Sequence, residues 1–365
     1  MPRITIDLRM YRHSGIGRYL RNLTPLLLPQ LKADFIRVLG SSALFAGASW
    51  LDDPRVELIE TEAPIYSLAE QRLALGPALR DAGLLWVPHY NAPLLHRGPL
   101  VLTIHDVAPI ALPEILSNPI KRGYARLLIE RSVARASAIL CVSQFTADEL
   151  TTRLGTDPRK LTVTHLGLDA DWPATAAPHH EPDGVPYLLF VGNVKPNKNL
   201  GLLLEAFAAV LDRLPHRLLL AGRMRGFGTG DEAVIKQAEA LGDRVRFAGE
   251  VPDADLIALY AGASALVLPS LYEGFGLPLL EAMHLGCPIL SSNAGSLPEI
   301  GGDAALYFDP RNPASLSACL LQLNDAAALE ILRRAGERRV QAFSYTRCAE
   351  QTATVLNAQL ARIPS

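Results

Sequence analysis

Short apolar runs rich in Ile, Leu and Val recur along this chain, each followed by a longer stretch with helical spacing. The series opens with ITIDL (residues 4 to 8), a helix-like GRYLRNLTPLLLPQL and FIRVLG (35 to 40). It continues through LLWVP (84 to 88), LVLTIHD (100 to 106), AILCVS (138 to 143) and KLTVTHLG (160 to 167). A strand buried on both faces reads as a continuous apolar run, and the crossover between parallel strands reads as an amphipathic helix. The rhythm therefore predicts a parallel sheet wrapped by helices. From 168 to 186 it stops, because LDADWPATAAPHHEPDGVP carries four prolines and no apolar periodicity. It restarts with YLLFVG, RLLLAG, RVRFAG, ALVLP, PILSS and AALYF. The expected fold is α/β with two Rossmann-like doubly wound domains, 1–170 and 187–344, joined by a linker at 171–186. The helix over about 345–365 is expected to return to the first domain. Open parallel sheets bind ligands at the C-terminal edges of their strands, so the expected site is a cleft between the two domains.

Composition narrows the function. Hydrophobic residues at 49% and charged residues at 20% supply enough apolar side chain for true cores. Lys plus Arg number 35 against 37 Asp plus Glu, a net of −2, which denies the chain the broad positive field that non-specific nucleic-acid binding needs. No nucleic-acid partner is expected. MPRITIDLRM places Arg and Asp in the first apolar run, and no run of ~18 apolar residues follows, so neither a leader nor a membrane span is expected and the assigned location is the cytoplasm. Cys141, Cys287, Cys319 and Cys348 are scattered without CxxC or metal spacing, as buried thiols in a reducing compartment would be.

The most informative segment is SLYEGFGLPLLEAMHLGCP, residues 270 to 288. It follows the apolar run ALVLP with a glycine-rich turn and then Pro278, suited to the first turn of a helix. Glu273 falls in the turn and Glu281 early in the helix, with free amides around Phe275 to Leu280 forming an anion site fit for a diphosphate. Carboxylates beside such a site are suited to accept hydrogen bonds from the diols of a ribose or hexose. The plainer reading of Glu281 is a helix-start carboxylate favoured by the macrodipole. In FVGNVKPNKNL, Lys195 and Lys198 follow the end of a strand, where cations neutralise a departing diphosphate. Ser14, Gly15 and Gly17 lie between the first strand and its helix. GIG is a poor dinucleotide fingerprint, because Leu20 stands where a third glycine would be. His105 and Asp106 end the run LVLTI, and the segment RVRFAGEV carries backbone near Gly249 to Val251 to the same edge.

These pieces, in this order, resemble the retaining glycosyltransferases of family four: SGIGRYL, IHD at 104 to 106, VSQFTADEL, FVGNVKPNKNL, RVRFAGEV and the Glu273, GFGLP, Glu281 segment. The resemblance covers most of the chain and implies the GT-B fold, with an N-terminal acceptor side and a C-terminal nucleotide-sugar side. It implies that Glu273 holds hydroxyls of the donor sugar, Glu281 the ribose diol, Lys198 the phosphate, and His105 the donor sugar. His105, Glu273 and Lys198 form the expected catalytic set. Gly15, Gly17, Asn193, Lys195, Lys198, Val251, Gly274, Phe275, Gly276, Leu277 and Glu281 form the donor-binding set. The family often has Arg directly after the strand glycine, where this chain has Asn193, so Lys195 is assigned the second charge. No metal and no other cofactor is implied. FVGNVKPNKNL and IHDVAP look like polysaccharide-assembling mannosyltransferases, which points to GDP-mannose as donor and a glycan or polyprenyl-linked saccharide as acceptor.

Other readings stand beside this one. UDP- or ADP-sugars would serve the same architecture, as would a non-catalytic nucleotide-sugar binding protein. A glycoside hydrolase would need one of the two glutamates to have a raised pKa. An NAD-dependent oxidoreductase lacks both the third glycine and an acidic residue at the end of FIRVLG. His179 and His180 beside Glu181 lack a third ligand and are not read as a metal site. The helix over 120–137, with Lys121, Arg122, Arg126, Arg131 and Arg135 alongside Ile120, Tyr124, Leu127 and Leu128, is a candidate for peripheral contact with the inner face of an anionic membrane. An ordinary solvated face is the alternative. Acceptor choice is assigned to loops 41 to 66 and 88 to 99.

Overall fold

In the computed structural model, residues 2–76, 79, 81–116, 118–169, 171–223 and 231–363 are described. The chain divides into two units. Met1–Ile110, Asn118–Ala170 and Ser344–Ser365 form the first, and Ala111–Ser117 with Asp171–Phe343 form the second.

Among the described residues the first unit contains seven parallel strands: β1 (Arg3–Asp7), β2 (Phe35–Gly40), β3 (Val56–Glu60), β4 (Leu84–Val87), β5 (Leu100–Ile104), β6 (Ala138–Cys141) and β7 (Leu161–Val163). Their order is β3-β2-β1-β4-β5-β6-β7, so consecutive strands are laid to one side of β1 and then, from β4 onward, to the other. Ile4 of β1 lies opposite Ile36 and Leu84, and all three are fully buried, which is why these strands are apolar at successive positions. The helix Gly15–Leu27 buries Leu20, Leu23 and Leu27. Packed on it is the helix Tyr345–Leu360, whose inward stripe runs through Cys348, Thr352 and Leu356 at four-residue spacing. Ser344 caps that last helix by accepting the Arg347 N–H at 3.1 Å, and Asn357 Nδ2 donates to the Gln30 carbonyl at 3.0 Å.

One segment departs from the sequence reading. Residues 41 to 66, assigned above to a loop, contain β3, a sheet-edge strand whose sequence VELIE sets two exposed glutamates among half-buried apolar residues. Its two charges masked the strand signal, yet charge is a common way to protect a sheet edge. The preceding turns pack Phe45 and Trp50 edge-on with Tyr11 at 5.2 and 5.9 Å.

The second unit has six described strands: β8 (Tyr187–Val191), β9 (Arg217–Ala221), β10 (Val245–Gly249), β11 (Ala265–Leu268), β12 (Ile289–Ser292) and β13 (Leu306–Phe308), ordered β10-β9-β8-β11-β12-β13. The direction of winding reverses between β8 and β11, as it does between β1 and β4. Its core includes Leu188, Phe190, Leu203, Phe207, Leu218 and Leu290, all fully buried. The segment 171–186 is irregular over its described residues and is fastened by Glu181, which is paired with Arg217 (3.2 Å), Arg246 (2.9 Å) and His179 (3.3 Å). Glu181 is thus a structural anchor. All four cysteines are buried and free, and burial pushes the thiols of Cys141, Cys287 and Cys348 up to about 12, far from thiolate chemistry.

Candidate functional site

In the second unit the reversal point brings together the loops that leave β8 and β11. After Val191 the chain passes Gly192 and makes a tight turn at Pro196–Lys198. It then enters the helix Leu200–Ala208 through Asn199, held at φ +53°. Asn tolerates this left-handed conformation, and here its side chain is used as well: Nδ2 donates to the carbonyls of Pro269 (3.1 Å) and Pro310 (2.8 Å). The Leu271 N–H donates to the Asn197 carbonyl at 2.8 Å, and Asn197 Nδ2 to the Tyr272 carbonyl at 3.4 Å. From the other side Ser296 Oγ donates to the carbonyls of Glu273 (3.0 Å) and Phe275 (2.8 Å).

These fastenings place Lys198 Nζ 2.5 Å from Glu273 Oε1, on the same oxygen to which Ser270 Oγ donates at 2.6 Å. The two side chains are 19% and 16% exposed, so the pair is reachable by a ligand yet partly shielded from water. Gly276 opens the helix Leu277–His284 at φ +100°, where a Cβ would come within 2.7 Å of the Leu297 side chain. Pro278 has no N–H, and the N–H of Leu279 is used by the Gly276 carbonyl at 2.9 Å, which narrows the amides expected to meet an anion. Phe275 packs edge-on against Phe343 at 6.0 Å. Glu281, on the same helix, is 3% exposed and accepts the Tyr260 hydroxyl on Oε2 at 2.6 Å.

Beside this pair, Asn193 Oδ1 accepts the Arg223 N–H at 2.9 Å, and the Arg223 guanidinium reaches Glu250 at 3.0 Å. Arg223 was absent from the sequence reading. Its signal was the repeated pattern of an apolar run, glycine and then a polar residue, shared by YLLFVGN and RLLLAGR. Lys195 is exposed, and its carbonyl accepts the Lys198 N–H at 2.9 Å. Val251 follows β10 and is half-buried.

In the first unit His105 leaves the end of β5. Its Nε2 lies 3.1 Å from the Pro88 carbonyl, and its ring stands edge-on to Tyr19 at 4.9 Å. Asp106 accepts the Ala108 N–H at 2.9 Å. Gly15 has open space where a Cβ would point, whereas a Cβ on Gly17 would meet the carbonyls of Tyr11 (2.6 Å) and Met10 (2.9 Å), so packing alone accounts for glycine at 17. A second cluster, missed in the sequence, gathers where β1 and β4 end: Asp7, Arg9, Glu70, His89, Tyr90 and Asn91, all at least nine-tenths buried. Its signal was PHYN after one apolar run, parallel to IHD after the next.

Burial holds His105 down to about 4, with the Pro88 carbonyl opposing, and burial likewise holds His89 well below the usual imidazole range. Both are neutral in the fold at pH 7, while an unfolded chain takes up protons below about 6.5. Stability is therefore expected to be intact above pH 6.5 and to fall as pH drops toward 4, by roughly 3 kcal/mol for His105. Urea titrations between pH 7 and 4.5 should show the midpoint falling, with a shallower fall in His105→Gln. An equally steep fall in that variant would assign the effect elsewhere.

The helix Pro119–Arg135 divides the residues that were read as one apolar face. Leu128 is fully buried, Tyr124 accepts from Gln71 Nε2 at 3.2 Å, and Ile120 and Leu127 remain 80% and 42% exposed. Among the described residues, no helix is long and apolar enough to cross a membrane, and no group of His, Cys, Asp or Glu is placed to hold a metal ion.

Two Rossmann-like units, each built on a doubly wound parallel sheet, are the GT-B fold of glycosyltransferases. Residues 14–172 match the profile of Glycosyltransferase Family 4, and residues 173–339 that of Glycosyl transferases group 1. The chain is 32% identical to O-antigen chain mannosyltransferase B of Escherichia coli over 94% of its own length and 95% of that protein's. It belongs to this family and is a glycosyltransferase. Sucrose-phosphate synthase from Thermosynechococcus elongatus shares the fold at a TM-score of 0.78 and 19% identity, covering 99% of this chain and 100% of that one. Anabaena HepE in complex with UDP and glucose does so at 0.73 and 19%, covering 98% and 100%.

Proposed function

We propose that the protein is a retaining, metal-independent hexosyltransferase that moves mannose from GDP-mannose to a hydroxyl of a glycan or polyprenyl-linked saccharide in polysaccharide synthesis. The observation that carries this reading is the Lys198–Glu273 contact at the reversal point of the second unit, beside the helix that starts at Leu277. The mannosyltransferase of E. coli supports the choice of sugar. As the bond from the anomeric carbon to the diphosphate breaks, Lys198, Lys195 and the helix start stabilise the departing charge. Glu273 and His105 orient the sugar, Gly15 and Gly17 lie in the first turn of the helix Gly15–Leu27 that follows β1, and Glu281 holds the ribose diol. Asn193, Val251 and the turn Gly274–Phe275–Gly276 complete the donor side. The acceptor oxygen attacks from the face the diphosphate leaves, and its proton passes to a phosphate oxygen. The cationic face of Pro119–Arg135 suits an anionic lipid surface at the cytoplasmic side, where a lipid-linked acceptor is presented.

The test is thermal stabilisation by GDP, UDP, ADP and their sugars. A ligand at 100 times its dissociation constant stabilises by about 2.7 kcal/mol, and GDP compounds are expected to lead. Glu281→Ala should weaken GDP and GDP-mannose together by about 1.5–3 kcal/mol, the scale of a hydrogen bond to a charged group. Turnover should survive EDTA and give an α-glycoside by proton NMR. A leading UDP or ADP response would change the donor, and a β-glycoside would end the retaining assignment.

A further inference from the structure

The ends of β1 and β4 meet where the winding of the first sheet reverses, the place at which open parallel sheets take ligands. An ion lattice is buried there. Arg9 grips Asp7 through two nitrogens, at 2.9 and 2.5 Å, and spans to Glu70 Oε1 at 2.7 Å. Asn91 Nδ2 donates to the same Glu70 oxygen at 2.6 Å. Glu70 is fully buried, and its second oxygen accepts the backbone N–H of Tyr66 at 2.8 Å. Tyr66 sits at φ +61°, a left-handed conformation that a bulky residue rarely adopts. A strained residue persists only where its surroundings overdetermine it, and such residues gather at ligand sites.

The lattice presents one side chain to solvent. Tyr66 is 39% exposed as a residue, and its ring stacks on Tyr90, with centroids 5.9 Å and planes 29° apart. Its hydroxyl lies 2.6 Å from His89 Nε2, and the His89 ring rests on Tyr90 at 3.8 Å. His89 is 6% exposed, and its buried Nδ1 has no hydrogen-bond partner among the described residues. The arrangement is a fixed aromatic face bordered by polar groups. Arg9, the cation of the cluster, is already bound by two carboxylates.

We propose that this cluster is an acceptor-saccharide subsite in which Tyr66 stacks against the apolar face of a neutral hexose, with the lattice of Arg9, Glu70 and Asn91 positioning it. The aromatic ring suits the C–H face of a pyranose, and the His89 imidazole, paired with the phenol, holds that ring in place. With Arg9 committed, nothing in the cluster favours a phosphate or a carboxylate, so the ligand class is an uncharged sugar. The role of this sugar as acceptor rests on the transferase reading above; its binding does not.

The test uses the whole protein and octyl α-D-mannopyranoside. Saturation-transfer NMR without donor should show the sugar ring protons in wild type, retain them in Tyr66→Phe and lose them in Tyr66→Gly. Glycine relieves the left-handed backbone, so Tyr66→Gly should melt at or above the wild-type temperature. That outcome separates loss of the ring from loss of the fold. With GDP-mannose, the KM for the mannoside should rise about tenfold or more in Tyr66→Gly, while GDP affinity stays at the wild-type value. Equal NMR signals in wild type and Tyr66→Gly, or no signal in either, would overturn the subsite. Mannose 6-phosphate binding as well as the mannoside would overturn its neutral class. A wild type that binds the mannoside but transfers to it from none of the GDP, UDP or ADP sugars would leave the subsite standing and count against the transferase scheme.

Discussion

Lys198→Ala is expected to lower kcat by roughly 10²- to 10³-fold, the scale of losing one preorganised electrostatic group, with a smaller change in donor affinity. In the proposed reaction the lysine acts on charge that develops as the diphosphate leaves, so its loss is expected to fall on the transition state more than on the ground state. The structure adds a second consequence, because the same nitrogen holds Glu273 Oε1 at 2.5 Å. With Lys198 gone, Ser270 remains on that oxygen, and the carboxylate proposed to orient the sugar loses its cationic partner. The effects of Lys198→Ala and Glu273→Gln should therefore be non-additive in kcat, which a double-mutant cycle measures. An unchanged kcat in Lys198→Ala would move the phosphate site elsewhere. Strict additivity would mean that the two side chains act apart during turnover.

Arg9→Met is expected to cost the first unit about 3–5 kcal/mol, because it leaves Asp7 and Glu70 as buried carboxylates without their cation. For a unit of this size that corresponds to a fall in melting temperature on the order of 10 °C. Burial opposes the Arg9 charge, yet Asp7 and Glu70 more than offset it and raise its pKa; burial in turn raises that of Glu70 despite Arg9. A carboxyl with a raised folded pKa contributes stability that is lost as pH rises, so the loss in Arg9→Met should be smaller at pH 5 than at pH 8. Adding Glu70→Gln should recover part of it. A variant melting within a degree or two of wild type would show the lattice to be dispensable for folding.

The turns that follow β8 and β11 were legible because their geometry is local. Gly276 and Pro278 specify a left-handed turn and a helix start within three residues, and the residues after YLLFVG must lie at a strand end whatever the rest of the chain does. That His105 follows a strand end was legible for the same reason. The lattice around Arg9 was not: Glu70 lies 61 residues away and Asn91 82, and although Ser67 and Glu70 mark a helix start, that local pattern says nothing of a meeting with Arg9. β3 was hidden by its two glutamates. On Pro119–Arg135 the neighbours Leu127 and Leu128 look alike as letters, and only the docking of the helix on its sheet makes one exposed and the other fully buried.

By itself the sequence determined the two parallel sheets, since strands buried on both faces and amphipathic crossovers leave a periodic trace that needs no partner to be read. Strand order, and with it the identity of the residues that meet, was decided only in three dimensions. Lys198 and Glu273 stand 75 positions apart and touch because β8 and β11 are laid side by side where the winding reverses. Asp7 and Arg9 meet Asn91 through Glu70 because β1 and β4 are paired in the same way. Long-range pairing of this kind depends on which crossover packs where, a property of the whole core that no local segment encodes.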